Sequence, residues 1–320
     1  MKISLSLISV GMIAAAASAG AIDSIDSGLS ATYKGVITAA QMDLIKNPTN
    51  KEAAYAVMYS TNSWGSPYVA GTLASGDGTV GQEGWSQYGG LASTFKVNAS
   101  SPVTATNSHT GPSMTMKGAT AASAFIDIYL DTSAAYAAQA GPNQLLWLEN
   151  DMYRNANSTA TTAAPSIYAV AFDSTYQQCN SGFKFNSYTG AASGLGSFLN
   201  SSGVITFYGF TLPVSSTANF AAAASNWTKQ ASSYNVDTGE VSWYLSADNG
   251  ATYSAWSYAA NAVAGRGAGE VDFYTANGAA TALAQSTTWA NSTQYTTLVP
   301  APGAVALLGL AGIAARRRRA

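Results

Sequence analysis

Short runs in which apolar and polar residues alternate fill most of this chain from Trp64 onward. The clearest run is Phe125–Asp131, whose two aspartates fall on the side opposite its aliphatic residues when the run is extended. Val204–Leu212 is apolar on both sides, which predicts a strand in the middle of a sheet. We count roughly ten to twelve strand candidates on this criterion. The side chains expected to be buried are Ile126, Ile128, Leu130, Ile205, Phe207, Trp243 and Leu245.

Turn residues separate these runs. Asp237-Thr238-Gly239-Glu240 and Asp248-Asn249-Gly250 enclose the strand candidate Val241–Ala247, and each has a glycine or asparagine where a turn requires a positive φ. Helix signals are confined to residues 38–60, where Ala39–Ile45 and Lys51–Met58 predict two short helices. The Ala/Thr/Ser-rich stretches 157–164 and 218–225 are interpreted as loops. The sequence therefore predicts an all-β domain, an antiparallel two-sheet sandwich of jelly-roll type, with one or two short helices near the N-terminus.

The two ends of the chain have the patterns of export signals. Lys2, an apolar stretch and the small residues Ala17-Ser18-Ala19 predict a signal peptide cleaved after Ala19. An uncleaved anchor or a buried N-terminal helix is the alternative. At the other end the apolar segment 303–315 predicts a hydrophobic helix, with the arginines after it on the cytoplasmic side of a membrane. A permanent C-terminal membrane anchor is the alternative there. The residues flanking this segment are Pro300, Ala301, Pro302, Arg316, Arg317, Arg318 and Arg319.

This tail resembles the PEP-CTERM sorting signal of exosortase substrates, although Ala301 stands where that family usually has glutamate. Together with the signal peptide and the strand pattern, this resemblance divides the chain into a signal peptide over 1–19, a β-sandwich domain over 20–298 and a sorting tail over 299–320. It also implies signal peptidase and an exosortase-like protease as processing partners. Membrane contact would be transient, through the C-terminal helix, and the product would lie at the cell surface or in the extracellular matrix.

Charge and composition narrow the function classes. Removal of both ends takes five of the 14 basic residues and none of the 16 acidic ones, which leaves a mature net charge of −7. Neither nucleic-acid binding nor attachment to an anionic membrane surface is expected, because both need a basic surface. Charged residues are 9% of the chain, against about 25% in typical soluble proteins. Uncharged polar residues must therefore keep the surface hydrated, which suits a polysaccharide environment.

The stretch Trp227–Leu245 resembles the strand–turn–strand of concanavalin-like or laminin-G-like jelly rolls, in which a strand opening with Trp leads through an Asp/Gly turn into a second strand. Some glycosidases of the concanavalin-like group carry Glu-x-Asp-x-x-Glu on one strand. The nearest match here is Glu149-Asn150-Asp151-Met152-Tyr153-Arg154, where arginine replaces the second glutamate, so the carboxylate pair is incomplete. Asp127 and Asp131 would lie about 13 Å apart on one strand, too far for a retaining pair, and are expected to be solvated.

The remaining candidates are single residues or aromatic clusters. Cys179 and His109 are each the only residue of their type, which excludes an intramolecular disulfide and a histidine-clustered metal site. Cys179 is expected in the core, with a reactive thiol as the alternative. The two Asp/Gly turns lack a full calcium ligand set, so no metal or cofactor is predicted. The candidates for stacking on a sugar ring, with core packing as the alternative, are Tyr244, Tyr253 and Trp256.

These observations predict a non-catalytic exported protein, a structural or adhesive component of the cell surface or extracellular matrix, with no catalytic residues. A lectin-like module that binds extracellular polysaccharide is the alternative. An extracellular glycosidase is the third hypothesis, and Glu149 and Asp151 would be its first candidate acids.

Overall fold

The computed structural model describes residues 29–46, 56–89, 94–102, 109–117, 125–138, 144–154, 166–176, 178–187, 189–213, 225–276 and 286–298. The signal peptide, the sorting tail with its hydrophobic helix, the stretch 157–164 and nearly all of 218–225 lie outside these residues. No helix in the described ranges is both long and apolar enough to cross a membrane.

The described residues form eighteen strands and two short α-helices. Helix α1 is Ala39–Lys46 and helix α2 is Ser133–Ala137. The first half of the strands is β1 Leu29–Ser30, β2 Thr32–Thr38, β3 Ala56–Ser60, β4 Gly71–Thr72, β5 Ser86–Tyr88, β6 Phe95–Asn98, β7 Ser113–Lys117, β8 Phe125–Asp131 and β9 Gln144–Arg154. The second half is β10 Ser166–Asp173, β11 Cys179–Asn186, β12 Ala192–Leu199, β13 Ile205–Thr211, β14 Trp227–Asn235, β15 Val241–Ser246, β16 Thr252–Tyr258, β17 Ala268–Ala276 and β18 Ser286–Leu298.

The strands form two sheets. The smaller sheet has the order β1-β13-β12-β11-β10-β17-β8-β5, and the larger has the order β2-β16-β15-β14-β9-β18-β7-β6-β4, with β3 also paired to β18. Among the described strands only β1 and β13 pair in parallel. One hydrophobic cluster joins residues of both sheets, including Phe273 of the smaller sheet and Trp243 of the larger. The predicted all-β antiparallel two-sheet sandwich is confirmed.

Of the two helices predicted near the N-terminus, one is confirmed and the other is wrong in part. Helix α1 covers the predicted Ala39–Ile45 and extends by one residue. The predicted second helix, Lys51–Met58, is wrong for its last three residues, which belong to β3. Strand β3 pairs with β18 from the far end of the chain, a tertiary contact that local helix signals do not encode.

Burial follows the alternating pattern closely between the sheets. Ile126, Ile128, Trp243 and Leu245 are buried between the sheets as predicted. Phe207 and Cys179 are buried too, but in a separate apolar cluster on the other face of the smaller sheet. Two of the expected core residues are only half-buried. Leu130 is the penultimate residue of β8 and Ile205 is the first residue of β13, and strand ends have fewer neighbours to cover them.

The two predicted turns are confirmed on both sides of β15. Gly239 has φ +77°, and Asn249 and Gly250 have φ +60° and +83°. The carboxylate of Asp248 accepts hydrogen bonds from the backbone N–H and the hydroxyl of Thr252, at 2.9 and 2.6 Å. The oxygen atoms of this turn are therefore used in ordinary turn chemistry.

The prediction for Asp127 is wrong, whereas Asp131 is exposed as predicted. Asp127 is 1% exposed, although it points away from the aliphatic side chains of β8. Strand β17 pairs with β8 and brings two more buried carboxyl groups, those of Glu270 and Asp272, to the same face. Alternation shows which residues share a face but not whether that face is covered.

Candidate functional site

A cleft opens on the face of the larger sheet that points away from the smaller sheet. On β9, Leu146, Leu148 and Met152 pack into the core between the sheets, so Glu149 and Asp151 project to the opposite side. The cleft has a volume of about 230 Å³. The side chains that line it include Glu149, Asp151, Lys229, Tyr253, Asn291 and Thr293.

The register of the central strands assembles this cleft. Strand β14 places Lys229 opposite Asp151. Strand β18, on the other side of β9, places Thr293 opposite Glu149. An irregularity of β18 between Trp289 and Ser292 includes Asn291, and local disruption of this kind re-aims side chains beside a site.

Glu149 is held through one of its two carboxylate oxygens. The ammonium nitrogen of Lys46 lies 2.7 Å from Glu149 Oε1, and the Tyr295 hydroxyl donates a hydrogen bond to the same oxygen. Lys46 is the last residue of α1, and Met42 of α1 packs into an apolar cluster on this face of the sheet. Helix α1 therefore fixes the position of the lysine, while Glu149 Oε2 has no partner among the described residues.

Asp151 is held in the same way and more tightly enclosed, since its side chain is 8% exposed. Its Oδ2 atom accepts a hydrogen bond from Lys229 Nζ at 3.2 Å and another from the Asn291 amide. His109 Nε2 lies 3.3 Å from the same oxygen. The second oxygen, Asp151 Oδ1, has no partner among the described residues.

His109 packs beside the Asp151 carboxylate. Its ring meets Trp227 edge to face, with the ring centroids 4.4 Å apart. Burial lowers the pKa of His109, and Lys229 lowers it further, while Asp151 acts in the opposite direction. The imidazole is therefore neutral at pH 7.

Tyr253 contributes a hydroxyl group beside the two carboxylates. Burial raises the pKa of Tyr253 most, and the negative charges of Glu149 and Asp151 raise it further. The phenol therefore keeps its proton at physiological pH. Its hydroxyl makes no hydrogen bond with a described residue, so it is available to a ligand.

Two of the three aromatic residues proposed for sugar stacking, Tyr244 and Tyr253, belong to one apolar cluster on the cleft face of the larger sheet. Both are largely buried, at 7% and 9% exposed. Tyr253 lines the cleft, and the Tyr244 ring lies 5.7 Å from the Trp147 ring, centroid to centroid. Trp256 is fully buried in the core between the sheets, and its Nε1 donates to the Pro213 carbonyl. The sorting residues from Pro300 to Arg319 lie outside the described residues.

The glycosidase-like motif is divided between two faces of β9. Arg154, at the position of the missing glutamate, is 5% exposed and donates a hydrogen bond from Nη1 to the Ser187 carbonyl at 3.0 Å. Glu149 and Asp151 share the cleft without a third carboxyl group from this motif. No set of three or more His, Cys, Asp or Glu side chains in the described ranges is arranged to hold a metal ion.

Sequence reasoning found two charged residues of the cleft and missed their partners. Glu149 and Asp151 were found because they are two residues apart on one strand. Lys229 and Asn291 are placed by the order of the sheet, and Lys46 is placed by the packing of α1 on it. The sequence carries no local signal for these contacts.

Comparisons with known proteins are consistent with a β-sandwich and go no further. The sequence matches no protein family and no curated protein. The CBM2 module of the evolved Dit of Lactobacillus casei BL23 phage J-1 has a TM-score of 0.38 and 10% identity, over 78% of this chain and 98% of that chain. Arcelin-5, a lectin-like defence protein of Phaseolus vulgaris, has a TM-score of 0.36 and 8% identity, over 64% and 93%. Peanut lectin has a TM-score of 0.35 and 11% identity, over 68% and 98%.

Proposed function

We propose that this chain is an exported, non-catalytic β-sandwich protein that binds a saccharide in the cleft of its larger sheet. One observation carries the proposal: two ion-paired carboxylates, each with an open oxygen, lie beside a tyrosine hydroxyl in an accessible cavity. Saccharides present many hydroxyl groups, and fixed polar groups at the bottom of a cleft bind such groups with a defined orientation.

The size of the cleft suits a small part of a saccharide. Its volume is about 230 Å³. Pockets for drug-sized ligands are larger, roughly 300–1,000 Å³. One sugar ring of a longer chain is therefore the expected occupant.

The ion pairs favour binding over hydrolysis. A glycosidase needs one carboxyl group to protonate the leaving oxygen and a second one to act as nucleophile or base. In this cleft both carboxylates are held by lysines, and the third position of the motif faces the other side of the strand. We therefore expect no release of reducing sugars from β-glucans or xylans.

The proposed binding site is tested by a glycan array probed with the mature protein and with Asp151→Asn. We expect the wild-type protein to bind a subset of glycans. Loss of one charge-assisted hydrogen bond, worth about 1.5–3 kcal/mol, should weaken that binding about 10- to 100-fold in the variant. The control is Glu83→Gln, which removes one negative charge from an exposed 3₁₀ turn that does not line the cleft. Absence of binding to any glycan, or equal binding by Asp151→Asn, contradicts the proposal.

We also propose that the protein is processed at both ends and reaches the cell surface or the extracellular matrix. The support is the Ala17-Ser18-Ala19 site and the tail that resembles a PEP-CTERM signal. Intact-mass measurement of protein isolated from its native host should give a chain that begins at Gly20 and lacks Arg316–Arg319. A secreted protein that retains these four arginines contradicts exosortase processing.

A further inference from the structure

Two of the open polar atoms of the cleft are carboxylate oxygens, which can only accept hydrogen bonds. Glu149 Oε2 and Asp151 Oδ1 have no partner among the described residues, while the lysines nearby already contact the other oxygen of each carboxylate. The Asn291 amide N–H donates a hydrogen bond to Asp151, and the Asn291 amide oxygen accepts a hydrogen bond from the Ser63 hydroxyl. A ligand group that meets these two oxygens must therefore bring a donor, and an ionised carboxylate or sulfate has none.

The charges around these acceptors balance each other. Glu149 is paired with Lys46, and Asp151 is paired with Lys229. His109 adds no charge at pH 7, because burial lowers its pKa. No other charged side chain among the described residues lines the cleft, so it has no surplus cation to neutralise an anionic sugar. Beyond the lining, Asp248 and Asp43 add negative charge that acts on Tyr253. These charges disfavour an anionic ligand.

The two open acceptors are close enough to act on one sugar ring. Glu149 and Asp151 are two residues apart on β9 and point to the same side, so their Cα atoms are about 6.6 Å apart. The carboxylates hold their positions because each is fixed through its other oxygen. Hydroxyl groups of one ring can then donate to both, and hydrogen bonds to a charged acceptor are roughly twice as strong as neutral ones.

We infer that the cleft selects uncharged, hydroxyl-rich saccharides and rejects saccharides whose bound ring carries a carboxylate or a sulfate. This inference rests on the proposed saccharide-binding function and names the ligand class of the same site. Glu149 and Asp151 are the residues that determine the discrimination between uncharged and anionic saccharides. An anionic ring places its charge against two carboxylate oxygens that are open on the cleft side, where partial burial reduces solvent screening.

The test is calorimetric titration of the mature protein with tetrasaccharides that share a β-1,4 backbone and differ only in charge. The uncharged probes are tetramers of glucose and galactose, the anionic probes are the corresponding tetramers of glucuronate and galacturonate, and the cationic probe is the glucosamine tetramer. We expect at least one uncharged tetramer to bind about tenfold or more tightly than its uronate. The glucosamine tetramer should bind no more tightly than the glucose tetramer.

The variants Glu149→Gln and Asp151→Asn distinguish a failure of this inference from a failure of the proposed saccharide-binding function. Each should weaken binding of the uncharged tetramer about 10- to 100-fold and narrow the ratio between uncharged and uronate affinities. Glu83→Gln should change neither quantity, and thermal melting of each variant checks that it is folded. Tighter binding of a uronate or of the glucosamine tetramer, or a ratio that neither cleft variant changes, overturns the inference while saccharide binding stands. No binding of any tetramer overturns both.

Discussion

Replacing Trp243 with alanine is expected to lower the free energy of unfolding by about 3–5 kcal/mol, the range for large-to-small substitutions at buried aromatic positions. Trp243 is fully buried, and its Nε1 donates a hydrogen bond to the Leu195 carbonyl of the smaller sheet at 3.2 Å. Its ring lies 5.3 Å from that of Phe210, centroid to centroid. Gly194 approaches the indole so closely that a Cβ there would lie 2.5 Å from the ring. Alanine would leave a cavity between the sheets where neither backbone can move inward easily.

Urea unfolding monitored by circular dichroism measures this effect. Trp243→Phe should cost less than alanine because it keeps a six-membered ring in the space, although it loses the five-membered ring and its hydrogen bond to Leu195. Val204→Ala is the surface control, since Val204 is 56% exposed and substitutions at such positions usually stay within about 0.5 kcal/mol. A loss below about 1 kcal/mol for Trp243→Ala would contradict the packing of the two sheets described here.

The stability of the protein is expected to fall by several kcal/mol as the pH rises from about 4 to about 8. Three carboxyl groups, those of Asp127, Glu270 and Asp272, are at most 5% exposed on one face of the smaller sheet. Burial, together with the charge of Asp131, raises the pKa of Glu270 to about 8. Burial also raises the pKa of Asp127 and Asp272 well above the usual range, and the neighbouring carboxyl groups add to the effect.

The sign of this effect follows from proton binding. In the unfolded chain these carboxyl groups ionise near their ordinary pKa of about 4. Between that pH and their folded pKa, the folded chain keeps protons that the unfolded chain releases, so rising pH favours unfolding. Their contribution is fully present below about pH 4 and is lost as the pH rises through the folded pKa, and each unit of difference corresponds to about 1.4 kcal/mol.

Thermal melting between pH 5 and pH 8 measures this loss. The wild-type melting temperature should decrease across this range, and Asp272→Asn should flatten the decrease because an amide does not titrate. The control is Glu83→Gln, which changes an exposed carboxylate that does not act on the pKa of any of these three groups and should leave the slope nearly unchanged. A melting temperature that rises with pH in the wild-type protein, or a slope that Asp272→Asn leaves intact, would show that these groups are not buried as described.

The sequence pattern predicted the strands well because alternation is a local property. Strand β8 has the predicted bounds, Phe125–Asp131, and the hairpin of β14 and β15 lies where the Trp227 stretch indicated it. Errors arose where a distant partner decides the outcome. Ala56–Ser60 pairs with β18 and is a strand, and Asp127 is buried in a group of carboxyls that β17 completes.

The cleft could be predicted from the sequence less completely than the fold. The Glu149 and Asp151 pair is visible in the sequence, but Lys46, Lys229 and His109 approach these carboxylates only through the register of the folded sheets and the position of α1. Spacing alone does separate two of the aromatic candidates. Tyr253 and Trp256 are three residues apart on β16 and so point to opposite faces, which is why one lines the cleft and the other is buried in the core.

The central claim, that the cleft beside Glu149 and Asp151 binds a saccharide ring, is tested most directly by a crystal structure of the mature protein with its tightest-binding saccharide. We expect one ring to occupy the cleft, with hydroxyl groups donating hydrogen bonds to Glu149 Oε2 and Asp151 Oδ1 and with the Tyr253 hydroxyl in contact. The carboxylates should keep their ion pairs with Lys46 and Lys229. A saccharide bound elsewhere on the sandwich, with the cleft filled only by water, would contradict the account.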